Sequence, residues 1–70
     1  MTFGAALKKA REEAGLTQAE LGKLLNVSFS SINRYENGRH EPTRIVEEAL
    51  KGFFRKKGIE FSYDKGKSGA

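Results

Sequence analysis

The chain has no cysteine and a single histidine among its 70 residues. Without cysteine it has neither a disulfide staple nor a thiolate metal ligand, and His40 alone cannot assemble a zinc site. Long apolar runs are missing too. Only 37% of residues are hydrophobic, and no run approaches the roughly 20 residues of a membrane span or the shorter core of a signal peptide. The expectation is a cytoplasmic protein. No nucleophile beside a base, no couple of carboxylates and no phosphate-cradling glycine loop is recognisable, so neither an enzyme nor a cofactor is expected. No repeat, linker or second domain is recognisable either, so the expectation is one small domain that needs compact helices to bury enough surface.

Basic residues, by contrast, are in surplus. Thirteen Lys and Arg against nine Asp and Glu give a net charge of +4 and a pI near 9.6. Such a balance attracts polyanions such as nucleic acid, and equally it describes a solvated surface.

The apolar pattern reads as helices. Phe3, Ala6, Leu7, Ala10 and Ala14 recur at spacings of three and four, which makes a first amphipathic helix closed by Gly15 as a left-handed cap. Thr17-Gln18-Ala19-Glu20 is a capping box that opens a second helix with the stripe Leu21, Leu24 and Leu25. Asn26, at ease with positive φ, then reverses the chain. Ser28 caps a third helix whose inner side carries Ile32, Tyr35 and Glu36, and Asn37-Gly38 ends it. Two short helices with a tight turn can cross steeply and display the second one outward, which one long helix cannot do. Gly22 suits such a crossing, because a side chain there would hold the helices apart.

Thr43 caps a fourth helix that runs to about Lys57, before Gly58. Its apolar residues Ile45, Val46, Ala49, Leu50, Phe53 and Phe54 span about 180°, wider than the roughly 100° needed for one core contact. After Gly58 the period becomes two: Ile59, Phe61 and Tyr63 alternate with polar residues and read as a short strand. The expected division is a helical domain at 1–57, a strand at 58–64 and a loose tail at 65–70.

Residues 7–43, LKKAREEAGLTQAELGKLLNVSFSSINRYENGRHEPT, resemble the helix-turn-helix domain of Cro/C1-type regulators, the lambda-repressor-like or XRE family. The motifs that carry the resemblance are Arg11 to Gln18, Ala19-Glu20-Leu21, Val27-Ser28 and Tyr35-Glu36-Asn37-Gly38 followed by Arg39 and Pro42. Gly22 stands where the family usually has Ala, and Asn26 where it usually has Gly. Many relatives continue with a fifth helix where this chain has IEFSY. The resemblance implies an all-α, lambda-repressor-like bundle of about four helices, here with a short C-terminal β-strand.

It also implies a transcription regulator, a repressor, that lays its third helix in the major groove of double-stranded DNA. Base-reading candidates are Ser28, Phe29, Ser30, Asn33 and Arg34. The forked donors of Arg34 match guanine O6 and N7, and Asn33 offers adenine a paired donor and acceptor. Phe29 suits either a thymine methyl or the core, and Arg34 suits a base, a phosphate or plain solvent. Phosphate candidates are Thr17, Gln18, Asn37 and Arg39; the resemblance implies that the Gln18 amide also braces residues of the third helix, and the residue is equally a good first-turn helix residue. Arg11 and Glu36 are implied to form a structural ion pair. One reading helix covers half a site, so a homodimer on a palindrome is expected, with Phe53, Phe54 and strand 59–63 as its seam; the competing expectation is that this segment folds back on its own domain. The alternative function is a protein-interaction module of the same fold, such as an antitoxin or adaptor.

Overall fold

Every helix begins at a hydroxyl. In the computed structural model, which describes residues 1–64, Thr2, Thr17, Ser28 and Thr43 each accept a backbone N–H three residues on. They start α1 (Phe3–Glu13), α2 (Gln18–Leu25), α3 (Phe29–Glu36) and α4 (Arg44–Lys56). Each cap satisfies one of the N–H groups that a helix start leaves without an intrahelical acceptor. The capping box of α2 is complete: the Thr17 hydroxyl accepts Glu20 N–H at 3.0 Å, and the Glu20 carboxylate accepts Thr17 N–H at 2.9 Å.

The turn between α2 and α3 rests on two residues. Asn26 takes the left-handed conformation at φ 59°, and Val27 N–H donates back to the Gly22 carbonyl at 2.8 Å. A Cβ on Gly22 would collide with the carbonyl oxygen of Val27. This crossing is tight enough to require glycine unless the backbone shifts.

The core joins Leu7 and Ala10 of α1, Leu21 of α2, Ile32 and Tyr35 of α3, and Leu50 and Phe54 of α4. The stripe expected on α2 needs a correction, because Leu24 is 59% exposed. At about 100° per residue, Leu21, Leu25, Gln18 and Gly22 fill one arc of roughly 100°, and Leu24 falls about 60° outside it. Gly4 is buried in α1. A Cβ there would stand 2.6 Å from the Tyr35 carbonyl oxygen and 2.8 Å from that of Glu36, so the start of α1 lies directly on the end of α3.

Beyond Gly58 no strand forms among the described residues, which corrects the expected β-strand at 59–63. Residues 59–64 instead run as an extended strap over their own domain. Ile59 N–H donates to the Phe54 carbonyl at 2.9 Å and Asp64 N–H to the Met1 carbonyl at 2.9 Å. The Phe61 ring meets Phe54 at 5.1 Å and Phe3 at 5.9 Å, and Tyr63 meets Phe3 at 5.0 Å. The expected seam through Phe53, Phe54 and this segment is not supported. Phe54 is fully buried, Phe53 packs edge-on against it, and the inward side chains of the strap are held by their own domain. The tail at 65–70 lies outside the described residues.

Candidate nucleic-acid interface

Three positions on α2 and α3, with Asn37 just past α3, are tied to α1 by one hydrogen-bonded chain. Arg11 donates through Nε to Glu36 Oε2 at 2.6 Å, through Nη2 to Glu36 Oε1 at 3.1 Å and through Nη1 to the Leu16 carbonyl at 2.8 Å. The two side chains are only 12% and 3% exposed. This fork raises the Arg11 pKa above its ordinary value, chiefly through the hydrogen bond to Glu36, against the opposing effect of burial. The guanidinium stays charged and the pair clamps α1 to α3.

From Glu36 the chain continues outward. Gln18 Nε2 donates to Glu36 Oε1 at 3.0 Å, Asn33 Nδ2 donates to Gln18 Oε1 at 3.3 Å, and Asn37 Nδ2 donates to Asn33 Oδ1 at 3.1 Å. Asn33 is therefore not a free reader: both ends of its amide carry a partner before any ligand arrives. Gln18 is half-buried and shared between Glu36 and Asn33.

The remaining candidates fall into groups. Ser28 is engaged as the α3 cap, accepting Ser31 N–H at 3.1 Å and donating to the Ser31 hydroxyl at 2.9 Å. Phe29 is 54% exposed, so its ring points to solvent rather than into the core. Ser30 and Arg34 are exposed on the same side, while Ile32, Tyr35 and Glu36 face inward. Arg34 and Arg39 are exposed and make no side-chain hydrogen bond or ion pair among the described residues. Thr17 is spent in the capping box, and the N–H groups of Gln18 and Ala19 in the first turn of α2 have no intrahelical acceptor. An anion at that helix start would meet both of them and the positive end of the helix dipole.

Sequence reasoning missed two supports of this surface. The Leu16 carbonyl holds the third arm of Arg11, and the ring of His40 stacks on Tyr35 at 5.7 Å and 19°. The first bond depends on a loop backbone that no side-chain pattern announces. The second follows from the turn after α3 folding back on that helix, for which Gly38 at φ 72° is a partial signal. Among the described residues no group of three or more His, Cys, Asp or Glu is placed to hold a metal, and no helix is long and apolar enough to cross a membrane.

The chain shares part of its sequence with known proteins. A candidate multi-protein-binding factor 1 of Yarrowia lipolytica is 42% identical over 45 residues, covering 64% of this chain and 30% of its own length. The HTH-type transcriptional regulator ImmR of Bacillus subtilis is 38% identical over 42 residues, covering 60% of this chain and 33% of its own. The chain thus spans about a third of the length of these relatives. No solved structure matches. The helix-turn-helix family model matches residues 7–46, a segment that begins in α1, contains the whole ion-paired unit and ends in α4, and the chain belongs to that family, in its Cro/C1-type branch.

Proposed function

We propose that this protein is a sequence-specific DNA-binding transcription regulator that places α3 in the major groove and rests the start of α2 on the phosphate backbone. The observation that carries the reading is the two-sidedness of α3: Ile32, Tyr35 and Glu36 are fixed inward, while Phe29, Ser30 and Arg34 stand free in solvent. Arg34 reads a guanine, and Phe29 covers a thymine methyl. Asn33 contributes through the amide atoms its internal partners leave available. Gln18, Asn37 and Arg39 meet phosphates, supported by the free N–H groups of α2. The protein acts in the cytoplasm at the nucleoid as a repressor, two copies reading two half-sites of a palindrome about 34 Å apart.

The test is selection of bound sequences from a random duplex pool at two salt concentrations. Arg34→Ala is expected to cost about 1–3 kcal/mol at one base position and to relax preference there. Arg39→Ala should weaken all sites alike and lower the salt slope by about one unit, leaving the preferred sequence unchanged. A wild-type pool that emerges unselected at both salts would overturn the reading.

A second reading is favoured by the similarity to the candidate multi-protein-binding factor: the same unit as an adaptor for another protein. Under it, Arg34→Ala and Arg39→Ala both leave partner capture intact.

A further inference from the structure

A groove runs beside the reading unit without touching Phe29, Ser30 or Arg34. The start of α1, the turn after α3 and the end of the strap enclose about 890 Å³, within the roughly 300–1,000 Å³ of small-molecule sites. Its apolar wall is built largely from rings. Phe3, Pro42 and Tyr63 are half-buried, and the exposed His40 is stacked on Tyr35. An aromatic occupant gains more on such a wall than an aliphatic one of equal area, because ring pairs add edge-to-face attraction to burial. One lysine and four carboxylates also border the groove. Three of the carboxylates are already committed: Glu36 to Arg11, Asp64 to the Met1 amine at 3.1 Å, and Glu47 to the Tyr63 hydroxyl, with Lys51 at 3.9 Å. Lys8 and Glu41 remain, both exposed and without a side-chain partner among the described residues. The start of α1 and the end of α3 add one positive and one negative helix pole to the same balance.

We infer that this groove binds a small aromatic zwitterion, an aryl group that carries both an ammonium and a carboxylate, as a free aromatic amino acid does. The ring lies on the wall of Phe3, Pro42 and Tyr63. The ammonium faces Glu41 and the end of α3, and the carboxylate faces Lys8 and the start of α1. The unspent charges select this ligand over its neighbours in chemistry. An aryl anion leaves Glu41 unmatched, an aryl cation leaves Lys8 unmatched, and a neutral ring gains from neither. Because both side chains are exposed, each pairing contributes a few-fold preference rather than tight binding.

The test is an NMR titration of the isotope-labelled full chain, without DNA, by four related ligands. Free phenylalanine should shift the backbone amides of Phe3, Gly38 and Tyr63 saturably, with a Kd on the order of 1 mM for so few atoms. N-acetylphenylalanine, which lacks the ammonium, and phenylalaninamide, which lacks the carboxylate, should each bind about threefold more weakly. N-acetylphenylalaninamide lacks both charges and should bind about tenfold more weakly. Glu41→Gln should erase the difference between phenylalanine and its N-acetyl form, and Lys8→Met the difference between phenylalanine and its amide. Both residues are exposed and outside the core, thermal unfolding checks each variant's fold, and the four-ligand series on the wild type decides by itself if a variant does not fold. The proposal is overturned by the absence of saturable shifts up to about 20 mM, by shifts confined to other residues, by an uncharged form that binds as tightly as the zwitterion, or by folded variants that keep the wild-type differences. Because no DNA is present, failure here is separate from failure of the DNA reading, which selection from the duplex pool tests by itself.

Discussion

The two halves of this molecule share one apolar core and differ in the contacts laid over it. The α2–α3 side is fixed by a directed polar chain from Arg11 through Glu36, Gln18 and Asn33 to Asn37. The opposite side, where α1, α4 and the strap meet, is fixed by rings: Phe3, Phe54, Phe61 and Tyr63 contact one another at 5.0–5.9 Å. Polar bonds fix orientation, because each has a donor and an acceptor; ring contacts supply burial with broad angular tolerance. The side that needs precise placement of amides and guanidinium groups uses the first, and the side that needs only to be closed uses the second.

That contrast can be broken at either end. The largest effect is expected from Glu36→Ala, which leaves the Arg11 guanidinium buried without its carboxylate and should cost about 3–5 kcal/mol in urea unfolding. It should also free Gln18 and blur base preference, so stability and selectivity fall together. Phe61→Ala should come next, at about 2 kcal/mol for a half-buried ring, with the selected DNA sequence unchanged. If base preference moves with Phe61→Ala, the two halves are coupled more tightly than their separate bonding implies.

Tyr63→Phe should have the smallest effect, about 1 kcal/mol at neutral pH for the lost hydrogen bond to Glu47. Burial first, then the bond to Glu47 and the charges of Glu47 and Glu48, push the Tyr63 phenol well above its ordinary pKa. A raised folded pKa means that the neutral phenol's contribution is complete below the unfolded value of about 10 and is lost as pH climbs through the folded value. The gap between wild type and Tyr63→Phe should therefore be constant up to about pH 10 and narrow above it, as followed by unfolding at a series of alkaline pH values.

Most helix boundaries were legible in the sequence because their signals are local. Thr17, Ser28 and Thr43 announce themselves by a hydroxyl just ahead of an apolar period, and Asn26 by its tolerance of positive φ. The strap was misread for a physical reason: a period of two belongs to any extended chain with one side buried, whether or not it has a ladder partner. Gly4 was silent, since a glycine in a helix gives no sign of the carbonyls pressed against it. Within the candidate site, residue types and the outward side of α3 could be read directly. That Gln18 braces the third helix follows from the family resemblance, but that Asn33, 15 residues away, is its partner could not be read, because the two meet only once Glu36 has drawn the Gln18 amide nitrogen towards α1.

That last bond has a consequence for handedness. A lone carboxamide rotates between two nearly equivalent poses. Turning Gln18 over would press amide oxygen against carboxylate oxygen at one end and NH2 against NH2 at the other, and Asn33 is locked in sequence behind it. One interior anion thus works like a compass needle, imposing a single sense on every amide in the row, so that a substitution at Glu36 would rewrite a surface it never touches.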